Sequence, residues 1–300
     1  MKRNNMLGKF ERIFKYPYRN FIAPRIYSIR DRKILSRNLA VKDKYSNQRC
    51  FVIGSGPSIS DIDFAQLQNE YTFVCNEFDK NPRYGILKPK FHITSDSAYY
   101  TDGEAEYLTE QFKLKDKTIP TTTSMIINLA AKPFMDKYSL FKRHQVYYVG
   151  TQGIFTDKLP FNIELDRYIP YPKNSALMCM LAAVYMDFQE IILIGCEHGF
   201  LNKPITVLME HSADDYPDDL KHADMYDQEA MKKFNLAKNL KRPTYENAVA
   251  SVLQLFKSYR LFYDKVKKIH PNTNIYNATP NSFLDVFPFV NLDDVLNKKR

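Results

Sequence analysis

Tryptophan is absent, glycine is scarce at nine of 300 residues, and the four cysteines form no Cys-x-x-Cys pair. Neither an internal repeat nor a low-complexity linker occurs. Cys50, Cys75 and Cys196 sit beside or inside apolar strand-like runs, which marks them as small buried hydrophobes of a reducing compartment. No Cys, His and Asp grouping has zinc-ligand spacing, so no metal is expected. The sequence lacks any run of about 18 apolar residues, so no transmembrane helix is expected. The basic N-terminus also lacks the uninterrupted apolar stretch of a signal peptide. The expected location is therefore cytoplasmic, peripheral on the inner face of the cytoplasmic membrane. Missing too are the Gly-Lys-Ser/Thr of a phosphate loop, a Gly-x-Ser-x-Gly elbow and an Asp-x-Asp metal pair.

What is present is unevenly charged. The chain carries a net charge of +9, and residues 1–45 hold thirteen Lys and Arg against only Glu11, Asp31 and Asp43. The remaining chain is close to neutral. Leu7, Phe10, Ile13 and Phe14 fall on one helical face of this leader, with Lys9, Arg12 and Lys15 elsewhere. Pro17 and Pro24 are expected to break any long helix there. Two readings stand: a peripheral anchor on an anionic membrane surface through residues 1–45, or a helix packed on the main domain. No nucleic-acid motif follows, so no nucleic-acid partner is expected.

Beyond the leader, short apolar runs alternate with helical patterns. Strands are expected at 50–53, 71–75, 89–94, 118–121, 145–149, 190–194 and 274–277, and helices at 175–186 and 244–268. Residues 201–243 are polar and proline-punctuated, too long for an ordinary loop, and suit a lid. The pattern predicts an α/β fold: a doubly wound, mainly parallel Rossmann-like sheet with a lid-like insertion. The division is a basic amphipathic extension over 1–48 and a nucleotide-binding domain over 49–300. In such sheets ligands lie at the carboxyl ends of the strands.

That rule selects the polar residues at strand ends. Gly54, Ser55, Gly56, Pro57 and Ser58 form a tight turn after the first strand. Two glycines let a ligand approach the backbone, and Ser58 or Ser60 can cap a following helix whose N-terminus favours an anion. Ile59 stands where a dinucleotide fingerprint needs its third glycine, which makes a nicotinamide cofactor a poor fit. Asn76 and Asp96 end the next two strands. Asn174 or Ser175 is a natural N-cap for the apolar helix, with Lys173 beside it for a phosphate. Glu197 and His198 end a buried strand, where a carboxylate is rarely placed without purpose. His222 and Tyr226, four apart in the excursion, share a face if helical, and His is the side chain best suited to act as a base near neutral pH.

Four stretches, VIGSGPSISDID, FVCNEF, NSALMCMLAAVYMDFQEIILIGCEHGF and IYNATPNSFLDVF, occur in that order over roughly residues 49–290. The set resembles the bacterial sialyltransferases that use CMP-sialic acid, and their relatives with a 6-hydroxymethylpterin diphosphokinase MptE-like domain. The resemblance implies that Gly54, Ser55, Gly56, Pro57, Ser58 and Asn76 hold a cytidine nucleotide. It matches Asp96 to the polar end of the third strand, Asn174 and Ser175 to the start of the apolar helix, and Glu197 to the acidic strand end. It implies an inverting, metal-independent transfer in which a His takes the acceptor proton and Tyr hydroxyls support the leaving phosphate. Lys241-Arg242-Pro243 stands near where that His is expected, so His222 is the first choice of base, His198 the second, with Tyr226 and Lys173 assisting. The expected function is a glycosyltransferase moving a CMP-activated acidic sugar, such as sialic acid, onto a bacterial surface glycan. The expected partners are the nucleotide sugar, a glycan acceptor and an anionic membrane; a homo-oligomer is left open. The alternatives are pyrophosphoryl transfer to a pterin and a non-catalytic membrane-associated scaffold.

Overall fold

The computed structural model describes residues 14–95, 105–199, 201 and 245–298. Asp96, His222, Tyr226 and nearly all of the expected lid lie outside the described residues.

Seven strands make one sheet: β1 (Arg49–Ile53), β2 (Tyr71–Cys75), β3 (Phe91–Thr94), β4 (Ser124–Asn128), β5 (Val146–Val149), β8 (Glu190–Ile194) and β9 (Asn274–Asn277). Their order is β5-β4-β3-β2-β1-β8-β9, and every pairing is parallel. The chain winds outward from β1 to β5 and then returns to the other side of β1, so the switch point lies between β1 and β8. This is the expected doubly wound fold. A second pair, β6 (Thr151–Ile154) and β7 (Ile169–Tyr171), follows the end of β5.

Both faces of the sheet are buried, as a parallel sheet requires. Cys50, Val52, Phe73 and Leu193 enter one core, while Phe51, Ile53, Val74 and Ile194 enter the other. Helix α3 (Ser175–Tyr185) is buried along its whole length in the first core. Helix α4 (Tyr245–Ile269) adds Leu255, Tyr259, Phe262 and Val266 to it. Phe64, Leu67 and Phe112, the last from α2 (Ala105–Thr118), cover the opposite face.

Three local expectations change. Residues 118–121 form the end of α2 and a turn, and the strand is β4. Pro120 supplies no ladder donor, Thr123 Oγ1 donates to Pro89 O at 2.7 Å, and the apolar run Met125–Ile126–Ile127 is what the core takes. After the glycine turn there is no long helix but two short 3-10 turns, Pro57–Asp61 and Phe64–Leu67, separated by extended Ile62. In the leader, Pro17 and Pro24 do not break the helical path, which continues from Phe14 to Arg30. One π turn, Tyr18–Ile22, lets Ala23 N–H reach Tyr18 O. Pro24 then falls directly after that π turn, in the first two residues of α1 (Ala23–Arg30).

The leader is fastened to the β6–β7 region by polar contacts. Asn20 Oδ1 accepts from Ile154 N–H at 2.8 Å, and Tyr16 Oη meets Thr156 Oγ1 at 2.6 Å. Ser28 Oγ accepts from Tyr168 N–H at 2.8 Å, and Tyr168 Oη donates to Asp31 at 2.7 Å. Buried Asn38 donates to Tyr148 O and Leu165 O. Tyr45 stacks on Phe188 with centroids 4.7 Å apart. Among the described residues no helix is long and apolar enough to cross a membrane.

Candidate functional site

At the switch point the loops after β1 and β8 lie backbone against backbone. Gly54 N–H donates to Ile194 O at 2.8 Å, Gly56 N–H to Gly195 O at 2.9 Å, and Ser58 N–H to Glu197 Oε1 at 2.8 Å. This approach is what demands glycine. A Cβ at Gly54 would stand 2.1 Å from Gly195 O, and one at Gly56 only 1.5 Å from Glu197 Oε2. The turn therefore does not offer the free helix N-terminus that its sequence suggests. Gly56 is the N-cap without a side-chain bond, neither Ser58 nor Ser60 caps, and the carboxylate of Glu197 takes the Ser58 amide. Ser60 Oγ instead donates to Pro57 O at 2.8 Å. Ser58 Oγ and Glu197 Oε2 are buried with no hydrogen-bond partner, while Ser55 and Pro57 are exposed.

Asn76 ends β2 in the left-handed region at φ 54°, a conformation that Asn tolerates better than most residues. Two buried groups grip its carbonyl: His92 Nε2 at 2.8 Å and Lys115 Nζ at 2.7 Å. Lys115 is itself paired with Asp79, both side chains about 5% exposed or less. Burial, aided by the Lys115 charge, pulls the His92 pKa down to about 4, so the ring is neutral. With Nε2–H given to Asn76 O, His92 Nδ1 accepts from Tyr84 Oη at 3.2 Å. The Asn76 side chain is tied as well, its Oδ1 accepting from Ser175 Oγ at 3.0 Å. Ser175 Oγ in turn meets Ser95 Oγ at 2.8 Å, and Asn128 Nδ2 donates to Ser95 O at 2.9 Å. The ends of β2, β3 and β4 and the start of α3 thus form one hydrogen-bonded network.

A second cluster supports α3 from behind. Asn174 caps the helix as its position suggests, its Oδ1 accepting from Leu177 N–H at 3.0 Å. Its Nδ2 lies 2.8 Å from Tyr259 Oη and 3.1 Å from His198 Nε2. His198 Nδ1–H donates to Cys196 O, which leaves Nε2 as an acceptor for Tyr259 Oη at 2.8 Å. Burial lowers the His198 pKa and keeps the imidazole neutral. The ring is only 9% exposed and Tyr259 is fully buried. The NATPNSF stretch props the end of β8: Cys196 N–H donates to Thr279 Oγ1, Ser282 Oγ to Cys196 O, and Phe283 N–H to Glu197 O.

The expected residues Gly54, Ser55, Gly56, Pro57, Ser58 and Glu197 therefore meet at the switch point. Asn76 and Ser175 are bonded to each other, and Asn174 to His198. Lys173 is exposed at φ 64° just before the cap. His92, Lys115, Ser95, Asn128 and Tyr259 were not singled out in the sequence. Only Ser95 and Asn128 carried the signal of a polar residue closing an apolar run. Among the described residues no three His, Cys, Asp or Glu side chains stand together as a metal site.

No family model matches the chain, and neither does any curated protein. Among solved structures, the chain is similar to the sialyltransferase CstII from Campylobacter jejuni with CMP-3FNeuAc, at 16% identity and TM-score 0.41, covering 84% of this chain and 89% of that one. It is similar to CstII with a trisaccharide acceptor and CMP at 17% identity and TM-score 0.42, covering 84% and 89%. It is also similar to the α-2,3-sialyltransferase Cst-I from Campylobacter jejuni at 14% identity and TM-score 0.40, covering 84% and 83%.

Proposed function

We propose that the strand ends bind a nucleotide sugar, and that the protein is an inverting, metal-independent glycosyltransferase using a CMP-activated acidic sugar. The observation that carries this reading is Asn76. Its backbone is locked by His92 and Lys115 and its Oδ1 by Ser175, while its Nδ2 has no partner among the described residues. A preorganised amide donor at the end of β2, next in the sheet to the β1 strand that leads to exposed Ser55, suits the acceptor edge of a pyrimidine base or a ribose hydroxyl. Exposed Lys173, at the start of α3, offers a cation for the phosphate.

In the proposed step an acceptor hydroxyl oxygen attacks the anomeric carbon, and the bond from that carbon to the phosphate oxygen breaks. CMP leaves as the configuration inverts. His222 takes the hydroxyl proton, and Tyr226 and Lys173 support the departing phosphate. Neutral, buried His198 holds Asn174 through Nε2, a positioning role. The acceptor is a bacterial surface glycan. No observation favours the pterin reading.

The test is thermal protection by nucleotides. CMP at 100 times its Kd stabilises a single-site binder by about 2.7 kcal/mol. Wild type is expected to show that rise in Tm with CMP, and Asn76→Ala to lose it. If millimolar CMP and CDP both leave the wild-type Tm unchanged, the donor assignment fails.

A further inference from the structure

Every exposed residue between Phe14 and Ala40 is apolar, aromatic or basic; none is acidic or a neutral polar residue. Tyr18, Ile22, Ile26 and Ile29 recur every three or four residues along the helical leader, 48%, 45%, 47% and 76% exposed, and Leu39 follows at 52%. Arg19, Arg25, Arg32, Lys33 and Arg37 are exposed among them. The opposite side of the same segment is fixed inward by Asn20, Ser28 and Asn38 through the hydrogen bonds described above. The helix therefore cannot roll to bury its isoleucines without breaking those contacts.

We infer that this face docks on an anionic lipid bilayer, with the isoleucines in the interface and the cations among acidic headgroups. Charge selects the occupant. A second copy would bring the same arginines against each other, and a polyanion such as nucleic acid gives the isoleucines nothing to bury against. A groove of 620 Å³ beside the stripe places Arg25, Arg32 and Arg167 next to Ile29 and Leu39, with Asp166 the one carboxylate. Cations rimming an apolar patch are the arrangement a charged headgroup above acyl chains requires. The leader rests on β6 and β7, which leave the carboxyl edge of the sheet at Val149 and rejoin it at Asn174. Docking therefore brings the candidate site's edge of the molecule toward the bilayer.

The test is sedimentation of the full chain with lipid vesicles, without nucleotide, so that its result is independent of the donor assignment. The chain is expected to pellet with mixed phosphatidylcholine–phosphatidylglycerol vesicles, less as salt rises, and far less with phosphatidylcholine alone. Removing Arg32 and Lys33 as R32Q/K33Q lowers affinity about fivefold per charge. The variant Ile22→Glu/Ile26→Glu/Ile29→Glu lowers it by at least about tenfold. R32Q/K33Q keeps the wild-type Tm, because both side chains are exposed, and the glutamate variant, whose isoleucines are 45–76% exposed, keeps the wild-type far-UV circular dichroism. Equal pelleting with neutral vesicles, or wild-type affinity in the triple glutamate variant, overturns the inference. So does a wild-type dimer that the glutamates dissolve while vesicles bind neither form.

Discussion

Lys115 offers the sharpest test of how the site is held. Its ammonium lies buried between the Asn76 carbonyl and the Asp79 carboxylate. Lys115→Met removes the cation and strands Asp79 in the interior. Breaking a buried pair from one side costs about 3–5 kcal/mol, because the remaining charge is uncompensated. That is a large part of the roughly 5–15 kcal/mol that stabilises a folded protein. Lys115→Met/Asp79→Asn removes both charges, and its expected cost is within about 1 kcal/mol of wild type. The double variant then isolates the site, since Asn76 O keeps only His92 as a buried donor. Urea denaturation measures the stabilities, and calorimetric titration with CMP measures the affinity. The expected pattern is a steep loss in the single variant, recovered stability in the double variant, and weakened CMP binding in both. A single variant costing under about 1 kcal/mol, or a double variant costing the sum of the two singles, refutes the reasoning.

His92 predicts a pH dependence. Its folded pKa of about 4 lies below the unfolded value near 6.5, so the unfolded chain takes the proton first. Stability from this group is complete above about pH 6.5 and is lost progressively as pH falls toward 4, by about 3 kcal/mol in all. Urea midpoints across that window show the slope, and His92→Gln flattens it; an unchanged slope removes the role of the buried imidazole. At the switch point, Gly54→Ala meets fixed backbone at Gly195 and costs at least about 3 kcal/mol. Gly56→Ala meets chiefly the movable carboxylate of Glu197, and Gly195 O only at 2.8 Å against 2.1 Å for Gly54, so it costs less, about 1–3 kcal/mol, mostly the loss of the Ser58 bond. Equal midpoints for the two variants contradict that account.

The strands legible in the sequence were those written as short apolar runs between polar stops, from β1 to β9. β4 was displaced because Thr118–Thr121 reads as strand by propensity alone, whereas burial follows Met125–Ile127. β6 and β7 were missed because Thr151, Gln152 and Gly153 carry no apolar signal, and their pairing is made by the fold. Strand-end position was enough to find Asn76 and Glu197, and the start of the apolar helix to find Ser175. What each one does depends on partners far along the chain. Glu197 caps a turn 139 residues earlier, and Lys115 grips a carbonyl 39 residues earlier. A lysine flanked by Lys113, Asp116 and Lys117 has no local mark of such a task.

The pairing of β1 with β8 also governs how the molecule is born. β2 to β5 all lie on one side of β1, so its other edge stays open until Ile194 has been made. At about 5–20 residues per second that wait lasts on the order of ten seconds, with Cys50–Ile53 presenting an apolar, unpaired edge. The glycine turn cannot close before then, because each of its amide bonds ends on residues 194–197. The nascent half-sheet is thus exposed to aggregation through that edge, and the junction of the β1 and β8 loops is among the last features to form.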